Sequence, residues 1–141
     1  MPNLLLLMKA LAEFEGYAEQ FRVTEEALEK AWCEDPRPFE AFVAEGSTSV
    51  GLLGMAITYQ QPWTYDLRPT VVLKELFVVP EGRGYGVGAE LMSAVIEEAK
   101  TRGASRINWT VLADNDRAKD FYRRLSGKHD AKWEPWTLEL P

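Results

Sequence analysis

Two features of this chain carry chemical potential before any fold is known. The first is Arg83-Gly84-Tyr85-Gly86-Val87-Gly88, a glycine-rich stretch that follows a β-like run and opens an amphipathic helix. Small residues there let the backbone approach a ligand closely. Free N–H groups at a helix start, aided by the helix dipole, favour a bound phosphate. The second is Glu75, a carboxylate inside the apolar run Val71 to Val79. An unpaired charge there is costly, so a residue that breaks the local rule is a functional candidate. A salt bridge with the adjacent Lys74, or with another cation, is its alternative role.

The glycine spacing separates three phosphate-binding patterns. A P-loop ends in Gly-Lys-Ser/Thr, whereas Gly88 is followed by Ala89-Glu90. A dinucleotide fingerprint is formally matched by Gly84, Gly86 and Ala89. However, Pro80 to Arg83 separate those glycines from the strand, and no acid lies near Ala104 to Asn108 to hold a ribose. The pattern Arg/Gln-x-x-Gly-x-Gly/Ala, a pyrophosphate loop, is satisfied by Arg83, Gly86 and Gly88. A Gly-rich turn without a ligand is the remaining alternative.

The elements that must position these residues follow from patterning. Leu4 to Glu15 reads as a helix after Pro2-Asn3, and Thr24 caps a second helix that ends before Asp35-Pro36. Phe39 to Glu45 and Val50 to Gln60 read as strands joined by a hairpin at Gly46 to Ser49. Thr70 to Val79 is the strongest strand, apolar enough for burial on both faces. Helix Ala89 to Arg102 carries Leu91, Met92, Val95, Ile96 and Ala99 on one stripe. Arg106 to Leu112, a helix capped at Asp114-Asn115-Asp116, and a last strand Trp133 to Leu140 complete the order. The central strand–helix–strand is expected to be a right-handed parallel crossover in a mixed, mostly antiparallel α/β sheet.

Bulk properties narrow the function. A chain of 141 residues with 46% hydrophobic and 27% charged residues suits a single soluble domain spanning 1–141. A net charge of −6 argues against a nucleic-acid partner and suits a cationic substrate. One cysteine, Cys33, excludes an intrachain disulfide, and one histidine, His129, leaves no His-based metal cluster. Both read as bystanders, and no metal is expected. Leu4 to Leu7 is far too short to span a membrane and follows no basic region, so a cytoplasmic location is the default.

The sequence resembles the GNAT superfamily of acyl-CoA-dependent N-acetyltransferases, and within it the diamine (spermidine/spermine, thialysine) branch. The resemblance runs from about Met8 to Leu140. It rests on Leu11-Ala12-Glu13-Phe14-Glu15, Val23-Thr24-Glu25, Phe42-Val43-Ala44-Glu45 and Pro62-Trp63. It continues through Leu76-Phe77-Val78, Arg83 to Gly88, and Asn115 with Phe121-Tyr122-Arg123-Arg124. It implies acetyl-CoA as co-substrate and direct attack by a primary amine of a small molecule. A non-catalytic acyl-CoA-binding regulatory module is the alternative.

On that resemblance, the loop Arg83, Gly84, Tyr85, Gly86, Val87, Gly88 and Ala89 holds the CoA pyrophosphate through its backbone. Phe77, Val78 and Val79 lie where a family bulge lets the pantetheine arm pair like an added strand, one N–H polarising the thioester carbonyl. Tyr122 matches the tyrosine that protonates the departing thiolate; packing beside Phe121 is its other role. Asn115 reads equally as a helix cap and as a pantetheine contact. Arg123 and Arg124 are surface charges or contacts to the CoA 3′-phosphate. Glu75 binds or deprotonates the amine, directly or through water. Glu15 and Glu19 match acidic positions near the amine groove, and Trp63 is placed to wall it; a solvated helix end and loop packing are their other readings. Trp133 and Trp136 are expected to pack the last strand. Two departures stand out. Lys74 replaces one of two acids typical of the branch, and the chain starts on the first helix, without the usual first strand. The branch implies a homodimer.

Overall fold

The computed structural model describes residues 1–46, 51–62 and 66–140. They fall into two compact units, Met1–Trp109 and Thr110–Pro141.

In the first unit, α1 spans Pro2–Glu15 and α2 spans Glu25–Trp32. Proline at the first helical positions suits α1, because its missing N–H would lack a helical partner there. Gly16 ends α1 with φ +82°, and two backbone bonds close the turn. Gly16 N–H donates to Glu13 C=O (3.3 Å), and Tyr17 N–H donates to Ala12 C=O (2.9 Å). The chain therefore doubles back, and Tyr17 lands beside the end of the helix it has just left. Thr24 caps α2, its hydroxyl accepting from Ala27 N–H at 3.2 Å.

The sheet runs β1 (Glu40–Glu45), β2 (Leu52–Gln61), β3 (Thr70–Val78), β4 (Arg106–Asn108), in that spatial order. The β1–β2 and β2–β3 pairs are antiparallel and β3–β4 is parallel, with α3 (Val87–Thr101) as the crossover. This is the expected mixed α/β architecture. Helices cover both faces. Met55, Ile57 and Phe77 join Leu4, Leu5, Leu7, Leu11 and Leu28 in one core under α1 and α2. Gly54, pointing to the opposite face, lies against α3, where a Cβ would come within 3.1 Å of Leu91 and 2.7 Å of the Phe77 carbonyl oxygen. The stripe Leu91, Met92, Val95 and Ala99 is buried as its spacing predicts, but Ile96 is only half-buried.

Several expectations are corrected. β4 is three residues long, not Arg106 to Leu112, and pairs only with Thr70, Val71 and Val72. Among the described residues, β3 has no ladder partner on that edge from Leu73 to Val78. The bulge lies earlier than Phe77–Val79. The β2–β3 register is regular there and slips between Ile57 and Thr58, where Glu75 and Leu73 are paired and Lys74 is left over. The last strand is not formed: Trp133 to Leu140 carries no regular structure. Pro135 in its middle has no N–H to give to a ladder. Trp133 and Trp136 are exposed rather than packed in a sheet: Trp133 carries the Lys132 ammonium 5.1 Å from its ring centroid, and Trp136 is 89% exposed. The hairpin tip, residues 47–50, and Trp63 lie outside the described residues. Among the described residues no strand precedes α1.

In the second unit, α4 spans Asp116–Arg124. Asn115 caps it, its side-chain oxygen accepting from Ala118 N–H at 3.1 Å. The helix closes with Gly127 N–H donating to the Tyr122 carbonyl at 2.9 Å.

Candidate active site

Two pieces of the first unit meet the requirements of a site: the glycine loop and a cleft over β3. The loop leaves β3 through a short turn, Pro80–Gly82. Gly82 is buried, and a Cβ there would press within 3.1–3.3 Å of Val78 and Leu53, so glycine lets the turn lie close to the sheet. Arg83 straps the loop down: its Nε donates to the Val78 carbonyl at 3.0 Å, and its guanidinium lies 5.5 Å from the Phe14 ring centroid. The Arg83 side chain is thus engaged with the protein's own backbone and an aromatic ring.

Gly84 (φ +85°) and Gly86 (φ +83°) then take left-handed conformations, and a Cβ on either would meet nothing within 4 Å. Gly86 is the cap of α3, and its carbonyl takes the first helical bond, from Glu90 N–H at 3.0 Å. The N–H groups of Val87, Gly88 and Ala89 precede that first bond and have no acceptor within the helix. Three donors, a helix dipole and an open cradle fit an anionic pyrophosphate. Tyr85 is exposed at the tip.

The free edge of β3 adds a second fit. Val79 N–H donates to Leu53 C=O at 3.0 Å, so that donor is committed to β2 and cannot polarise a carbonyl. Strand alternation turns the Val78 N–H to the opposite edge, where β4 has ended. The Val78 carbonyl on that edge is taken by Arg83, so an extended arm laid there meets the Val78 N–H as its donor.

The cleft, of ≈ 300 Å³, lies on the α1 face of the sheet. Met8, Leu11 and Met55 form its apolar wall; Tyr17, Lys74 and Glu75 supply polar groups. The bulge explains why two consecutive residues of one strand share it. Where two residues oppose one, the ordinary alternation is broken, and Lys74 and Glu75 both reach this side. Their charged atoms are 3.8 Å apart, with Glu75 17% exposed and Lys74 63% exposed. Burial raises the Glu75 carboxyl above its usual range. Lys74 opposes that shift, and the charge of Glu15 adds to it. The Tyr17 phenol is raised by burial, then by Glu75 and Glu15, so it stays protonated and can donate.

Glu15 is exposed and does not line the cleft, although its charge acts on Glu75 and Tyr17. Glu19 is not a lining residue; it is exposed on the short turn Ala18–Gln20. Tyr17 was missed by sequence reasoning, although Gly16 after an amphipathic helix signals the turn that returns it. In the second unit, Asn115 is a cap and Tyr122 packs edge-on to Phe121 at 5.2 Å. Arg123 pairs with Asp120 at 2.6 Å, and Arg124 is exposed. A larger open cleft, ≈ 620 Å³ beside Trp32 and Arg102, contains none of the expected residues. Among the described residues there is no cluster of three metal-ligating side chains and no helix long and apolar enough to cross a membrane.

The chain is similar to known acetyltransferases in sequence and in fold. Residues 6–127 match the family described as Acetyltransferase (GNAT) family. Thialysine N-epsilon-acetyltransferase of Bos taurus is 31% identical over 140 residues, covering 95% of this chain and 82% of that protein. The Mus musculus protein of the same name is 29% identical with the same coverage. A crystal structure of a probable acetyltransferase superposes with a TM-score of 0.79 at 22% identity, covering 99% of this chain and 89% of that one. An aminoglycoside acetyltransferase in complex with sisomicin, from an uncultured soil metagenomic sample, gives 0.77 at 21% identity, covering 97% and 87%. The two structural likenesses establish the fold.

Proposed function

The chain belongs to the acetyltransferase (GNAT) family, and on that premise we propose that it acetylates a primary amine of a small molecule that enters the cleft beside Glu75. Acetyl-CoA, the family's co-substrate, supplies the activated thioester. The observation that carries the acceptor assignment is Glu75, a largely buried carboxylate of raised proton affinity in an otherwise apolar-walled cleft. An ammonium must give up a proton before it can attack, and a carboxylate with raised affinity takes it better than an ordinary one.

The other roles follow from the chain's own groups. Backbone N–H groups of Gly84 to Ala89 hold the pyrophosphate. Val78 N–H donates to the thioester oxygen as charge develops there. Glu75 takes one ammonium proton, directly or through one water, before attack; the neutral amine then forms the N–C bond as the C–S bond breaks, and its second proton leaves to solvent. Tyr122 gives its phenolic proton to the departing thiolate. Asn115 contacts the pantetheine arm through the amide nitrogen that capping does not use, and Arg124 meets the 3′-phosphate. The names of the curated relatives support an amino-acid- or diamine-like acceptor. The reading takes residues 1–141 as one domain, a cytoplasmic homodimer that needs no metal, nucleic acid or membrane.

A thiol-release assay with acetyl-CoA and a panel of spermidine, putrescine, thialysine and lysine tests it. Rapid release with at least one amine is expected. No release with any, while acetyl-CoA still raises Tm, would overturn the small-amine assignment in favour of an acyl-CoA-binding role.

A further inference from the structure

The acceptor cleft is charged in two layers. Its deep charge is one carboxylate, Glu75; its rim carries two cations, Lys74 and Arg22. Lys74 is largely exposed, yet its ammonium stands 3.8 Å from Glu75 Oε1. Arg22 also lines the cleft and is held in place, its Nη1 donating to the backbone carbonyls of Glu19 and Phe21. These are backbone acceptors, so no carboxylate cancels the Arg22 charge through those bonds. Outside the lining, the charge of Glu15 acts on both Glu75 and Tyr17 and favours their protonated forms.

Such a cleft discriminates by what accompanies the reacting amine. A diamine brings a second positive charge to a rim that already holds two. An amine that also carries an anionic group meets an opposite charge at each end. Its ammonium displaces Lys74 from Glu75, and the released Lys74 faces the anion together with Arg22.

Resting on the acetyl-transfer reading above, we propose that Lys74 and Arg22 are specificity-determining residues and that the acceptor is an amine bearing a carboxylate. The bulge makes this possible: without the extra residue, Lys74 and Glu75 would face opposite sides of the sheet and the two charges would not share a cleft.

Matched pairs differing only by the carboxylate isolate the effect: lysine against cadaverine, and thialysine against its decarboxylated analogue. The readout is the ratio of kcat/KM within each pair, in wild type, Lys74→Glu and Arg22→Gln. Any change in Glu75 basicity acts on both members and cancels. The wild type is expected to prefer the carboxylate-bearing member about fivefold or more, and Lys74→Glu to lower that ratio about tenfold, as suits exposed charges moved from attraction to repulsion. Arg22→Gln is expected to lower it less. A wild-type preference for the diamines, or a ratio unmoved by both substitutions, overturns the inference. Should none of the four amines be turned over, the small-amine reading fails for them. Calorimetric binding of lysine against cadaverine, in wild type and Lys74→Glu, then decides the inference by the same ratio. Both side chains are exposed, so the variants are expected to fold.

Discussion

Gly86→Ala is the sharpest test of the phosphate seat, because the structure supplies its own control. Gly86 has φ +83° and nothing within 4 Å of the position a Cβ would take. Gly103, just past the other end of α3, has φ +68° and equally open surroundings. Alanine at either site forces a left-handed backbone at a cost of about 1–2 kcal/mol. That corresponds to a fall in Tm of roughly 3–8 °C for a domain of this size. Stability should therefore drop alike in the two variants. Ligand binding should not. At Gly86 the backbone strain falls on the loop that aims the Val87, Gly88 and Ala89 donors, whereas Gly103 lies at the far end of α3. A lost hydrogen bond to a charged group is worth about 1.5–3 kcal/mol, so CoA affinity should weaken roughly 10- to 150-fold in Gly86→Ala. It should be unchanged in Gly103→Ala. The assay is calorimetric titration with CoA beside thermal unfolding of the free proteins. Equal loss of Tm with CoA affinity intact in Gly86→Ala would refute the assignment of the loop.

Three further outcomes are expected. Tyr122→Phe should lose about 10²–10⁴-fold in kcat while keeping CoA affinity, measured by thiol release and titration; wild-type turnover would sink the role of this phenol. Glu75 must be ionised to act as a base, and burial raises its proton affinity, so kcat/KM should fall with acid at a pH above the ordinary glutamate value of 4.5. Glu75→Gln should abolish that acid limb. The same raised affinity favours the folded protein at low pH and is lost as pH rises through the folded value, so Glu75→Gln should flatten the dependence of Tm on pH across that window. Gly54→Ala would set a Cβ 2.7 Å from the Phe77 carbonyl oxygen, a backbone atom that cannot swing aside. A cost of about 1–3 kcal/mol is expected from this overpacking, read as a lowered Tm with a weakened grip on CoA through displaced β3.

Much of the site was legible in residue order because its parts are local. A glycine run between a strand and a helix forms a donor-rich cap wherever the strand and helix go, so the turn at Gly84 to Ala89 was legible from spacing, while its pyrophosphate role came with the family resemblance. The apolar periodicity of Val71 to Val79 marked Glu75 as out of place, and Asn115 was a cap because its neighbours are a helix start. Patterning failed where pairing decides. Arg106 to Leu112 and Trp133 to Leu140 have strand-like residues, yet a strand exists only where a neighbour accepts its hydrogen bonds; β4 has that for three residues, and among the described residues Trp133 to Leu140 forms no strand. The bulge at Lys74 is likewise a property of two strands in register, which one strand cannot announce.

What the sequence by itself determined is therefore the family, the glycine loop that opens α3 and the carboxylate that stands out in β3. What only the tertiary structure decided is the company that acid keeps. Tyr17 and Arg22 come from a turn more than fifty residues away in the chain, and Lys74 is rotated onto the same face by one unpaired residue. Charge acts through space, over a few ångströms, with no regard for separation along the chain. The proton affinity of Glu75 and the charge pattern of the cleft thus became readable only once those side chains were placed together.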